Sequence, residues 1–168
     1  MTRRNKLRRF VKIPFEYFDA IQIGNQLFPY LFQFENGLRL MVHNFLSTCY
    51  GPDWWNVSLQ TRLRDIFDYA QDQKVRKDHM PWIGNSARVK VLPIHLITLG
   101  QLEKIIEHYK SDCIPQLFPS MHFFLGHMEV IKRVRNLYSH MFPCITHNDF
   151  AVAKREIRTL CSHINSRL

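Results

Sequence analysis

From Phe15 to about Cys49 the apolar residues recur at helical spacing, with soft spots only at Gly24, Pro29 and Gly37. No other feature limits the fold as much. A segment this long in one conformation commits the chain to helix, because strands run only about 3–10 residues. Gly37 gives up about 1 kcal/mol of helix propensity, so it is expected to mark a close packing contact. "YGPDWW" (50–55) then reads as a turn: Gly51-Pro52 stop the helix and Asp53 can cap the next one.

The rest of the chain repeats this theme. Leu59, Leu63, Ile66, Phe67 and Ala70 form one amphipathic stripe that fades by about Lys77. Residues 78–94, with Pro81, Gly84, Asn85 and Pro93, read as a long connection holding a short strand at "RVKV" (88–91). Thr98 and Gln101 have capping-box spacing, and Leu102, Ile105, Ile106 and Tyr109 form the buried stripe behind them. "SDCIPQLFPS" (111–120) reads as another connection, with Ser120 an N-cap. A helix is expected from about Met121 to Met141, stopped by Pro143. Asn148 and Asp149 open a last one, with Ala153, Ile157, Leu160, Cys161 and Ile164 as its stripe. The expectation is an all-α bundle of four to five long helices with little or no strand. It consists of a basic arm (1–14) and a single helical domain (15–168).

Composition agrees. A chain of 168 residues suffices for one domain with a real core, and 13 Phe against 6 Gly favours compact helical packing. No apolar run approaches the ~18 residues that span a bilayer, so no membrane partner is expected. The four cysteines lie far apart without a C-x-x-C pair, which suits reduced thiols and a cytoplasmic location. Net charge is +9, and Arg3, Arg4, Lys6, Arg8, Arg9 and Lys12 supply six of those charges with no acid among them. Such an arm suits a polyanion such as RNA; equally, it suits a solubilising tail.

The stretch "RVRNLYSHMF" (133–142) carries the candidate chemistry. On a helix, Phe123, Val130, Val134, Leu137 and Met141 form an apolar stripe, which Phe124, Met128 and Ile131 widen. Glu129, Lys132, Arg133, Asn136 and His140 fall opposite, and Arg135 lies at the border. Asn136 and His140 are four apart and so adjacent on the helix surface. Metal-free RNA cleavage needs a base for the 2′-OH, a charge for the phosphorane and an acid for the leaving 5′-oxygen. Imidazole titrates near neutrality, guanidinium clamps phosphate, and an amide can orient either. One copy supplies one such histidine, so a second copy across a two-fold axis is the simplest source of the other. The competing structural reading is that Arg133, Arg135 and His140 only complement the negative end of their helix.

"RNLYSH" (135–140) resembles the signature of the HEPN superfamily, an Arg and a His separated by four to six residues. An Asn after the Arg is typical of its ribonuclease members. "ENGLRLMVHNFLSTCYGPDWW" (35–55), "ITLGQLEKII" (97–106) and "THNDFAVAKREI" (146–157) resemble, in order and spacing, other parts of abortive-infection and toxin HEPN proteins. The resemblance covers about residues 15–165. It implies a helical bundle with Arg135, Asn136 and His140 catalytic, no metal or other cofactor, and 2′,3′-cyclic phosphate products. It also implies a homodimer acting in toxin–antitoxin or defence systems, held by an antitoxin or within a larger complex. Some members have lost catalysis and serve as RNA- or protein-binding modules. Lys132, Arg133 and Tyr138 stand beside the set as supporting residues, although Tyr138 and Ser139 are variable positions of the motif.

Other residues admit both a functional and a purely structural role. Glu35 and Arg39 form a favourable i,i+4 pair; they either help orient Arg135 or make a local ion pair worth a few tenths of a kcal/mol. Trp54 and Trp55 either stack bases or fill the core at the helix junction. His122 and His127 are splayed around a helix and do not suggest zinc. No phosphate-cradling glycine loop is present.

Overall fold

The computed structural model describes residues 17–78, 91–140 and 144–165. All regular structure among them is helical, so the chain is an all-α helical bundle. The elements are α1 (Tyr17–Tyr50), a single π turn (Trp55–Leu59), α2 (Gln60–Arg62), α3 (Arg64–Asp78), a 3-10 turn (Pro93–Leu96), α4 (Leu99–His108), α5 (Lys110–Leu117), α6 (Met121–Ser139) and α7 (His147–Asn165). The expected strand at 88–91 lies mostly outside the described residues, as do residues 1–14, Met141 and Pro143.

The described residues divide into two compact units. The first contains 17–32 and 124–165. Its core is Phe18, Ile23, Leu27 and Leu31 of α1, Phe124, Met128, Ile131 and Val134 of α6, and Ala153, Ile157 and Leu160 of α7. Helix α1 runs through Pro29 without a break, because burial of Leu27 and Leu31 outweighs the one backbone bond that proline forfeits. Helix α7 begins at His147, one residue earlier than expected. Thr146 is its cap: Asp149 N–H donates to Thr146 Oγ1 at 3.2 Å, and Thr146 N–H donates back to Asp149 Oδ2 at 2.9 Å.

The second unit contains 33–123. Phe34, Leu38, Val42 and Leu46 of α1 contribute to its core, with Leu102, Ile105, Ile106 and Tyr109 buried as expected. Gly51, at φ 89°, makes the turn after α1, a left-handed conformation that glycine adopts without strain. The helix expected from Asp53 to Lys77 is interrupted at Leu63, whose φ −135° and ψ 57° are not helical. Its amphipathic stripe survives the break, with Leu59, Ile66 and Ala70 buried. The capping box holds, Thr98 N–H donating to Gln101 Oε1 at 2.8 Å and Gln101 N–H to Thr98 Oγ1 at 3.2 Å. Ser120 caps α6 through Phe123 N–H at 3.1 Å. The expected connection at 111–120 is instead mostly helix α5, which contains Pro115. Burial of Cys113, Leu117 and Phe118 overrides the local preference of the proline.

Candidate functional site

On helix α6, Asn136 and His140 share one side and Arg135 stands apart from them. Its buried residues are Phe124, Met128, Ile131 and Val134, a stripe turned by about a quarter turn from the one the sequence suggests. Val130 and Leu137 are only half-buried. Arg135 follows Ile131 by one turn and is half-buried, the burial of a residue at the border of the buried stripe. Asn136 and His140 are exposed. Five residues separate Arg135 from His140, which is about 140° around the helix axis. Asn136 and His140 differ by only about 40° and share the outer face. The His140 N–H bonds the Asn136 carbonyl at 3.0 Å, closing the last turn. Arg133 is exposed and Lys132 half-exposed beside them.

Tyr138 fixes where this helix end sits within the first unit. A Cβ on Gly24 would meet its ring at 3.0 and 3.1 Å, and the Phe28 ring lies 6.3 Å away, centroid to centroid. Gly24 is therefore the notch that admits Tyr138 against α1. Gly37, which the sequence suggests as the close contact, has nothing within 4 Å of an added Cβ. Tyr138 thus has a packing role.

A second polar cluster on α6 and α7 has no counterpart in the sequence reading. His127 Nδ1 and Glu156 Oε2 lie 2.5 Å apart, and Arg155 donates through Nε to Glu156 Oε1 at 2.8 Å. Burial pushes the Glu156 carboxyl up, but hydrogen bonds from Arg155 and His127 outweigh it and hold the group below the ordinary glutamate range. No spacing rule could have found this pair, because its members are 29 residues apart on separate helices. Asp149, also lowered, owes this first to the Thr146 side-chain hydrogen bond and then to its backbone bond and the nearby Arg133 charge.

Glu35 and Arg39 lie in the second unit. They form an ion pair at 3.2 Å, and Arg39 Nη2 also donates to the Ile97 carbonyl at 3.1 Å. Arg39 thereby ties α1 to the segment before α4, which is more than the local pair expected. Trp54 and Trp55 are 0% and 4% exposed, so they fill the core and are not a base-stacking surface. Trp54 Nε1 donates to His43 Nδ1 at 3.2 Å. Burial pushes the Cys113 thiol up to about 12, so it is not a nucleophile at neutral pH. Among the described residues no three His, Cys, Asp or Glu side chains gather as a metal would need. No helix among them is long and apolar enough to cross a membrane. Arg3, Arg4, Lys6, Arg8, Arg9 and Lys12 lie outside the described residues.

No protein-family model, curated protein or solved structure matches the chain. Chemically, the outer face of the α6 end offers one proton-transfer group (His140), one neutral donor and acceptor (Asn136) and the adjacent cations Lys132 and Arg133. That set can bind a phosphodiester and move one proton per copy.

Proposed function

We propose that the chain is a metal-independent endoribonuclease of HEPN type, working as a homodimer in the cytoplasm as a toxin or anti-phage defence effector. The observation that carries this reading is the joint exposure of Asn136 and His140 at the end of α6. Lys132 and Arg133 beside them, in a chain of charge +9, suit a phosphodiester substrate. His140 of one copy would accept the 2′-OH proton and its counterpart would protonate the 5′-oxygen, leaving a 2′,3′-cyclic phosphate. Purified protein is incubated with RNA in excess chelator and the ends of the products are identified. His140→Ala is expected to lower the rate by at least about 100-fold, the usual worth of a general acid or base. Equal cleavage by wild type and variant, or none by either, sinks the catalytic reading.

The partial burial of Arg135 favours a second reading, a non-catalytic HEPN module that binds RNA or a partner protein in a defence complex. A clamp about 140° from the histidine on its own helix serves packing more directly than catalysis. This reading expects salt-sensitive RNA retention that survives His140→Ala.

A further inference from the structure

The second unit contains a cavity of about 290 Å³. A void of about 150 Å³ already admits a benzene ring, so this one has room for roughly a dozen non-hydrogen atoms. Its floor is Ala70 of α3, 2% exposed, whose methyl leaves open the space a larger side chain would take. One wall is apolar. Pro93 and Leu96 stand three apart on a 3-10 turn, where such residues eclipse one another. Both are only half-buried, so they leave apolar surface facing the cavity.

The rest of the lining is polar. Gln71 and Lys74 of α3 are three apart and so neighbours on the helix surface. Among the described residues neither engages its side chain in a hydrogen bond or ion pair. Asn56 comes from the π turn, a helix irregularity found mostly at functional sites. Its Nδ2 donates to Asp53 Oδ1 at 2.5 Å, which leaves its own Oδ1 as an acceptor. A few convergent polar groups on an apolar enclosure are the make-up of a small-molecule site. The single cation suits one negative charge, and the Asp53 carboxylate behind Asn56 disfavours a second there. An RNA strand is a poor fit, because its phosphates call for several cations.

We propose that this cavity binds a small organic monocarboxylate with an apolar body and a hydroxyl. The carboxylate meets Lys74 and Gln71, the body lies against Pro93 and Leu96, and the hydroxyl donates to Asn56 Oδ1. Neither the nuclease reading nor any of its residues enters into this binding.

The probe is para-hydroxybenzoate, a monoanion at neutral pH, titrated into the full chain and followed by amide NMR. A ligand of about ten non-hydrogen atoms binds such a site in the millimolar range, so the titration runs to about 20 mM. The amide signals of Asn56, Gln71, Lys74 and Leu96 should shift and saturate together. Para-hydroxybenzamide keeps the shape without the charge and should bind at least about tenfold more weakly, through loss of a charge-assisted hydrogen bond. Benzoate, which cannot donate to Asn56, should bind several-fold more weakly. Lys74 is exposed, so Lys74→Gln leaves the core untouched and should bring acid and amide to equal affinity. No saturable shift, equal affinity of acid and amide for the wild type, or a preference for the acid that survives Lys74→Gln would each overturn the proposal. So would benzoate or inorganic phosphate matching the probe, since either would mark a bare charge contact.

Discussion

Glu156 shows how one buried carboxylate can tie two helices together and link the fold to pH. Its oxygens take His127 on α6 and Arg155 on its own helix. Its folded pKa lies below the ordinary value, so the stability it contributes is fully present above the unfolded pKa of about 4.3. That stability is lost as pH falls through the lowered folded value. Glu156→Gln keeps the shape and removes the charge. Hydrogen bonds to charged groups are worth about 1.5–3 kcal/mol, and about 2–4 °C accompanies each kcal/mol in a chain of this size. We expect the variant to melt several degrees lower at pH 7 and the gap to narrow as pH drops below about 4. A gap that is constant from pH 7 to pH 3, read by thermal circular dichroism, would show that the charge does not contribute.

At the scale of elements, α1 and α6 meet through a glycine, and two glycines of α1 allow a controlled comparison. Gly37 is exposed in mid-helix with nothing near an added Cβ. Gly37→Ala should therefore stabilise by about 0.5–1 kcal/mol, the propensity difference alone. Gly24→Ala gains the same propensity but drives a methyl to 3.0 Å from the Tyr138 ring, so the ring and the α6 end must shift by a few tenths of an ångström. Its net effect on denaturant midpoint should be near zero, with a changed Tyr138 environment by NMR. Equal stabilisation by both substitutions would mean that Tyr138 yields without resistance. The comparison also marks what was legible in the sequence. Caps were readable, Thr98 with Gln101 and Ser120 above all, because their partners lie within one turn. The centre of the buried face of α6 was not, since the half-buried Val130 and Leu137 continue the apolar surface of Val134, Phe124, Met128 and Ile131. Only the notch at Gly24 and the packing of α1 and α7 decide where that centre lies. The shared face of Asn136 and His140, by contrast, follows from their spacing of four alone. Pro115 misled in the opposite direction, because local preference cannot register the burial of Cys113 and Leu117.

For the whole molecule, charge is distributed unevenly enough to be tested by removal. Six of the nine net positive charges belong to residues 3–12, and deleting residues 1–12 leaves +3. On either RNA-binding reading these cations can each neutralise one phosphate. Every neutralised phosphate of a single strand adds about 0.7 to the slope of log affinity against log salt. If all six engage, deletion should flatten that slope by up to about 4. It should also weaken binding most at low ionic strength, where screening is least. The active-site proposal makes a separate demand, because His140 and Asn136 remain in the shortened chain. Under single-turnover conditions with saturating RNA, the cleavage rate of the shortened protein should match that of the full chain while its affinity falls. Filter binding between 50 and 300 mM salt, paired with single-turnover rates, separates the two roles. An unchanged slope would assign the arm to solubility and place the phosphate contacts on the helical part, starting with Lys132 and Arg133. A lost rate at saturation would instead mean that the arm takes part in the reaction step itself, which the present assignment of roles does not allow.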